Sequence, residues 1–104
     1  MPLKRYEILL PLRYNDGSKV EPEKFEATQA ELLARFGALS FEPYPVKGLW
    51  SESGRVYKDK PICLVVDVDD SPETLGFFRE YKETLKVRFK QIEIWITAHP
   101  IDII

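Results

Sequence analysis

Apolar residues occupy every second position from Tyr6 to Leu12, namely Tyr6, Ile8, Leu10 and Leu12, with Glu7, Leu9, Pro11 and Arg13 out of phase. A period of two marks a strand with one face in the core. Asn15-Asp16-Gly17-Ser18 follows as a turn. The spacing then changes to steps near four and seven, at Phe25, Leu32, Leu33 and Phe36, which predicts a helix. Pro22 suits its first turn, Glu21, Glu23 and Glu26 suit its positive end, and Gly37 is a left-handed stop. Ala38 to Tyr44 reads as a second strand, closed by Pro43 and Pro45.

Residues 46–60 form a long connection containing Gly48, Trp50, Gly54 and Tyr57. Ile62 to Val68 is apolar at six of seven positions, as expected of a central strand buried on both faces. Ser71 as cap and Pro72 at the first position start a second helix, which should run to about Lys90. Leu75, Phe78, Leu85 and Phe89 face inward along it, helped by Phe77 and Tyr81. Gln91 opens the last strand, where Ile92, Ile94 and Ile96 alternate with Glu93, Trp95 and Thr97.

The order β-α-β-β-α-β over residues 1–104 predicts a single α+β domain, a ferredoxin-like α/β plait with four strands and both helices on one face. Right-handed crossovers place the first and third strands side by side and parallel in this reading.

Composition narrows the function. The 104 residues carry a net charge of -2, without the basic excess of a nucleic-acid binder. No apolar run approaches the roughly 18 residues of a membrane span, and the opening residues lack a signal peptide's apolar stretch. One cysteine, Cys63, and one histidine, His99, exclude an intrachain disulfide and a His-rich metal site. A cytoplasmic protein without a cofactor is the expectation.

Four features in order along the chain carry a resemblance: Tyr14-Asn15-Asp16-Gly17 closing the first strand, Arg35-Phe36-Gly37 closing the first helix, Gly48-x-Trp50 with Gly54, and Arg88-Phe89-Lys90-Gln91 before the last strand. Their order and spacing resemble a family of small bacterial proteins known only as a domain of unknown function. The resemblance implies the plait fold and no activity.

Three constellations could carry function. If the first and third strands end at the same sheet edge, Asp16 lies near Asp69 and Asp70, with Asp67, Glu21, Glu23, Glu73 and Glu93 in reach. Clustered carboxylates suit Mg²⁺ or Ca²⁺ and would make a metal-dependent enzyme. Acids also favour helix starts for electrostatic reasons alone. The second constellation is the sheet face away from the helices. It should show Leu9, Pro11, Cys63, Val65 and Trp95 edged by Glu7, Arg13, Asp67, Glu93 and Thr97, an apolar centre with a polar rim. A second copy of the chain is the first reading for what covers it. The 46–60 connection folding back with Trp50 and Tyr57, or an apolar small molecule, are the others. RNA-binding plaits add basic residues to this face, which is acidic here. The third constellation is the connection itself, most simply a hairpin turning at Ser53-Gly54 with Trp50 across from Tyr57.

His99, Cys63 and the Arg79-Lys82-Lys86-Lys90 stripe read as structural or solvated. The apolar ending Ile101-Asp102-Ile103-Ile104 should be tied down as strand or against another subunit. The expectation is a non-enzymatic interaction or small-ligand module that forms a homodimer. Leu9, Val65 and Trp95 make its patch, Trp50 and Tyr57 its mobile cover, and the alternative is a metal enzyme with Asp16, Asp69 and Asp70 as ligands.

Overall fold

A computed structural model describes residues 2–43, 51–52, 55–56 and 61–104. Strand β1 (Leu3–Leu10) leads through a turn to helix α1 (Pro22–Phe36) and strand β2 (Ser40–Pro43). Two short strands follow, β3 (Ser51–Glu52) and β4 (Arg55–Val56). Strand β5 (Ile62–Asp69), helix α2 (Pro72–Arg88) and strand β6 (Ile96–Ile101) complete the chain. One open sheet has the order β2-β5-β1-β6, with every neighbouring pair antiparallel. β3 pairs antiparallel with β4, Ser51 opposite Val56 and Glu52 opposite Arg55, as in the expected hairpin. Trp50 and Tyr57 lie outside the described residues.

The adjacency of β1 and β5 agrees with the sequence reading, but their direction does not: they are antiparallel, Leu3 opposite Asp69 and Leu10 opposite Ile62. The crossover rule governs strands joined through a helix. Those are β1 with β2 and β5 with β6, and each such pair is parallel with one strand inserted between its members.

Alternation along β1 buries Tyr6, Ile8 and Leu10 against the helices, with Leu64 and Val66 beside them on β5. α1 contributes Leu32 and Thr28, α2 contributes Phe78, Tyr81 and Leu85, Phe89 follows at its C-cap, and Ile94 closes the layer. Tyr6 stacks on Phe78 with ring centroids 4.0 Å apart, and Phe36 stacks on the same ring at 5.4 Å. Leu33, expected inward, is 46% exposed. It lies about 100° around the helix from Leu32, off the stripe Phe25-Thr28-Leu32-Phe36.

The helix ends follow their sequence signals, with one exception. The Ser71 side chain accepts a hydrogen bond from the Thr74 N–H at 3.2 Å, and Gly37 ends α1 at φ +77°. α2 ends at Arg88 with Phe89 as its cap, and Lys90 after it takes φ +53°, a left-handed position usually held by glycine, while the Gln91 N–H donates to the Lys86 carbonyl at 2.9 Å. The final strand starts five residues later than expected, at Ile96, leaving Ile92 90% exposed. β6 is an edge strand and holds Pro100 opposite Lys4. Ile101 is tied down as strand opposite Leu3, while Ile103 and Ile104 are exposed.

A polar clamp joins the helices. Arg88 donates through Nη1 to Thr28 Oγ1 at 2.8 Å and through Nη2 to Glu31 at 3.0 Å. The Tyr81 hydroxyl donates to the Thr28 carbonyl at 3.3 Å, and burial pushes its phenol pKa up.

The Tyr6 hydroxyl is buried and has no hydrogen-bond partner among the described residues. An unpaired buried hydroxyl costs about 1–3 kcal/mol. Tyr6→Phe keeps the stack on Phe78 and removes that cost. It should raise the urea midpoint, equivalent to about 1 kcal/mol of stability. A lower midpoint would show that the hydroxyl is satisfied.

Candidate functional site

The register assigns the side chains of the face that the helices leave uncovered. From β1 come Leu3, Arg5, Glu7 and Leu9, and from β5 come Cys63, Val65, Asp67 and Asp69. β6 supplies Thr97, His99 and Ile101. Trp95 extends this row, because the Leu9 N–H donates to the Trp95 carbonyl at 2.9 Å.

Of the predicted patch, Leu9 and Trp95 stand side by side at one end of this face, and Val65 lies one row further in, opposite Glu7. Trp95 is 64% exposed, while Leu9 and Val65 are half-buried. Cys63 is 4% exposed although it belongs to the face without helices. The centre differs from the expected apolar one. Arg5 donates to Asp67 through Nε at 2.7 Å and Nη2 at 3.0 Å, a two-pronged ion pair. His99 stands opposite Arg5 on the other side, and Glu7 sits next along β1 between Val65 and Thr97. Apolar residues of β1 and its β6 side therefore occupy both ends, Leu9 with Trp95 and Leu3 with Ile101, while charges occupy the middle and Asp69 stands exposed across from Leu3. Arg5 and Asp67 are in phase with Leu9 and Val65. The alternation already sets Asp67 at the edge of this face and could have added Arg5, but only the antiparallel register brings the two together.

The acidic constellation does not assemble. The turn holding Asp16 follows the Leu10 end of β1, whereas Asp69 and Asp70 sit at the Leu3 end. Eight strand residues separate the two ends, about 25 Å. The antiparallel direction of β5 is the cause. Asp16 accepts from the backbone N–H and hydroxyl of Ser18, at 2.8 and 2.5 Å, and that hydroxyl holds its carboxyl below the usual range. Asp70 pairs with Lys4 at 3.5 Å. Among the described residues no three His, Cys, Asp or Glu side chains gather as metal ligands.

A second polar cluster lies near Asp16. The Tyr14 hydroxyl donates to Glu21 and accepts from Lys24 at 2.5 Å. The ammonium groups of Lys24 and Lys90 lie 4.8 and 4.9 Å from the Tyr14 ring centre. The hydrogen bond from Tyr14 holds the Glu21 carboxyl low, and the one between Tyr14 and Lys24 raises the lysine. This cluster fastens the turn after β1 to the start of α1 and the end of α2. Lys82 pairs with Glu93 at 2.8 Å and Lys86 with Glu83 at 3.0 Å, so the basic stripe is partly neutralised by its own neighbours.

No protein-family model, curated protein or solved structure matches the chain. Among the described residues no helix is long and apolar enough to cross a membrane.

Asp67 is held below the usual carboxylate range, first by its hydrogen bond from Arg5; partial burial opposes this, and the Arg5 and His99 charges add lesser lowering effects. Asp16, Glu21 and Glu93 are lowered as well. A depressed carboxylate stabilises the fold above its unfolded pKa, about 4, and that stabilisation fades as pH falls through the lower folded value. Urea midpoints should be flat from pH 7 to 5 and drop below about 4. Asp67→Asn should lower the plateau and flatten the drop; a variant with the wild-type acid limb would show that the ion pair carries none of it.

Proposed function

We propose that this chain is a non-enzymatic interaction module of the cytoplasm that self-associates through its open sheet face. We propose further that its fold is a ferredoxin-like α/β plait. The order β2-β5-β1-β6, the two parallel pairs each split by an inserted strand, and both helices on one side support that assignment. Kinship with the small bacterial family that the sequence resembles fits the same reading, since the resemblance brings no activity.

The observation that carries the reading is Trp95. It stands 64% exposed beside half-buried Leu9, on a face that neither helix covers. Trp is a frequent anchor of interfaces and an uneconomical residue to leave in water. A metal-dependent reaction draws no support, because the fold keeps Asp16 apart from Asp69 and Asp70.

Sedimentation velocity across a concentration series should give a dimer for the wild type. Trp95→Arg should weaken it at least about tenfold, the loss typical of an anchor residue. Its far-ultraviolet circular dichroism should be unchanged. A variant that assembles like the wild type, or a wild type that stays monomeric throughout, overturns the proposal.

A further inference from the structure

The layout of the open face specifies how a second copy would sit on it. The inference rests on the self-association reading above. Glu7 is half-buried at the middle of a central strand. It makes no hydrogen bond or ion pair among the described residues, unlike its neighbour Arg5, which Asp67 holds at 2.7 and 3.0 Å. Covering an ionised carboxylate without a cation is costly, so any partner of this face must bring a positive group to Glu7.

We infer that the partner is a second copy of this chain, docked face to face about a two-fold axis that crosses the strands between Arg5 and Glu7. Such an axis reverses positions along β1 and leaves strand order unchanged. Glu7 of each copy then meets Arg5 of the other, and the Leu9–Trp95 end of each meets the Leu3–Ile101 end of the other. Both apolar ends are covered, and the central acid gains a guanidinium already oriented by Asp67.

The competing two-fold axis, parallel to β1, sets Glu7 against Glu7 and Arg5 against Arg5. Like charges opposed in a closing interface disfavour it. Face-to-face sheets keep their strands within about 30° of each other, so the facing rows stay matched over this short span. Three strands across seven residues give a footprint of about 20 Å by 14 Å, small for an interface. The association is therefore weak and is followed as a concentration series.

Charge exchange tests the axis. Glu7→Arg and Arg5→Glu should each weaken self-association at least tenfold, because each opposes like charges twice in its own dimer. An equimolar mixture of the two variant chains should form a heterodimer, since both cross-copy contacts become opposite in sign. Native mass spectrometry reads the hetero species directly, and circular dichroism checks that each variant is folded. If Arg5→Glu fails to fold, salt gives the second readout: added NaCl should weaken the wild-type dimer and leave that of Glu7→Gln nearly unaffected. A Glu7→Arg chain that dimerises like the wild type overturns the axis, as does the absence of heterodimer from two folded variants. If Trp95→Arg disperses the dimer in that case, self-association through the open face stands and only the arrangement fails. A wild type that is monomeric at every concentration removes both.

Discussion

The antiparallel pairing of β1 with β5 is the constraint on which the rest of the molecule depends. Its register, Leu3 opposite Asp69 through Leu10 opposite Ile62, decides the neighbours of each side chain in the middle of the sheet. A slip of one residue would send Tyr6, Ile8 and Leu10 to the uncovered face and bring Arg5, Glu7 and Leu9 under the helices. The same register lays Arg5 beside Asp67 and keeps the two helix-entry turns at opposite ends. One ladder thus sets the core, the ion pair and the dispersal of the acids.

On the covered side, a run of aromatic ring contacts crosses an otherwise aliphatic core. Tyr6, Phe36, Phe77, Phe78 and Tyr81 form a chain of ring contacts with centroids 4.0 to 5.4 Å apart. Such pairs add about 0.5–1.5 kcal/mol each beyond the area they bury. The Arg88 clamp does different work, fixing how far α1 and α2 stand apart along their length. At the far end, Lys90 accepts an unfavourable backbone conformation, worth roughly 1–2 kcal/mol. In return its ammonium reaches the Tyr14 ring.

Much of this was readable from the residues. Period-two alternation located β1 and its buried face, Ser71-Pro72 located the start of α2, and Gly37 located the end of α1. What failed was direction and phase. Local patterns do not encode whether adjacent strands run the same way. The acidic cluster was drawn from an incorrect parallel pairing and disappears with it. The late start of β6 has a similar origin: Ile92, Ile94 and Ile96 alternate as a strand would, but only Ile94 and Ile96 have a layer to pack against. At the open face the alternation set Leu9, Val65 and Trp95 on one side of the sheet, as the register does. It put Glu7 and Asp67 at the rim rather than in the middle and left out Arg5, because that depends on which rows align across three strands.

Pro100 gives the edge strand a further property. The bond from Leu9 to Trp95 makes residues 95, 97, 99 and 101 the ones that bond inward to β1, so Ile96, Ala98 and Pro100 turn their backbone outward. Proline has no N–H, which leaves this rim two amide donors and a ring where the third would stand. An incoming strand would find a short, interrupted template. The molecule is thereby guarded against runaway fibre-like growth along its hydrogen-bonding direction, and a broad side chain such as Trp95 can stay exposed without seeding aggregation through the adjacent edge.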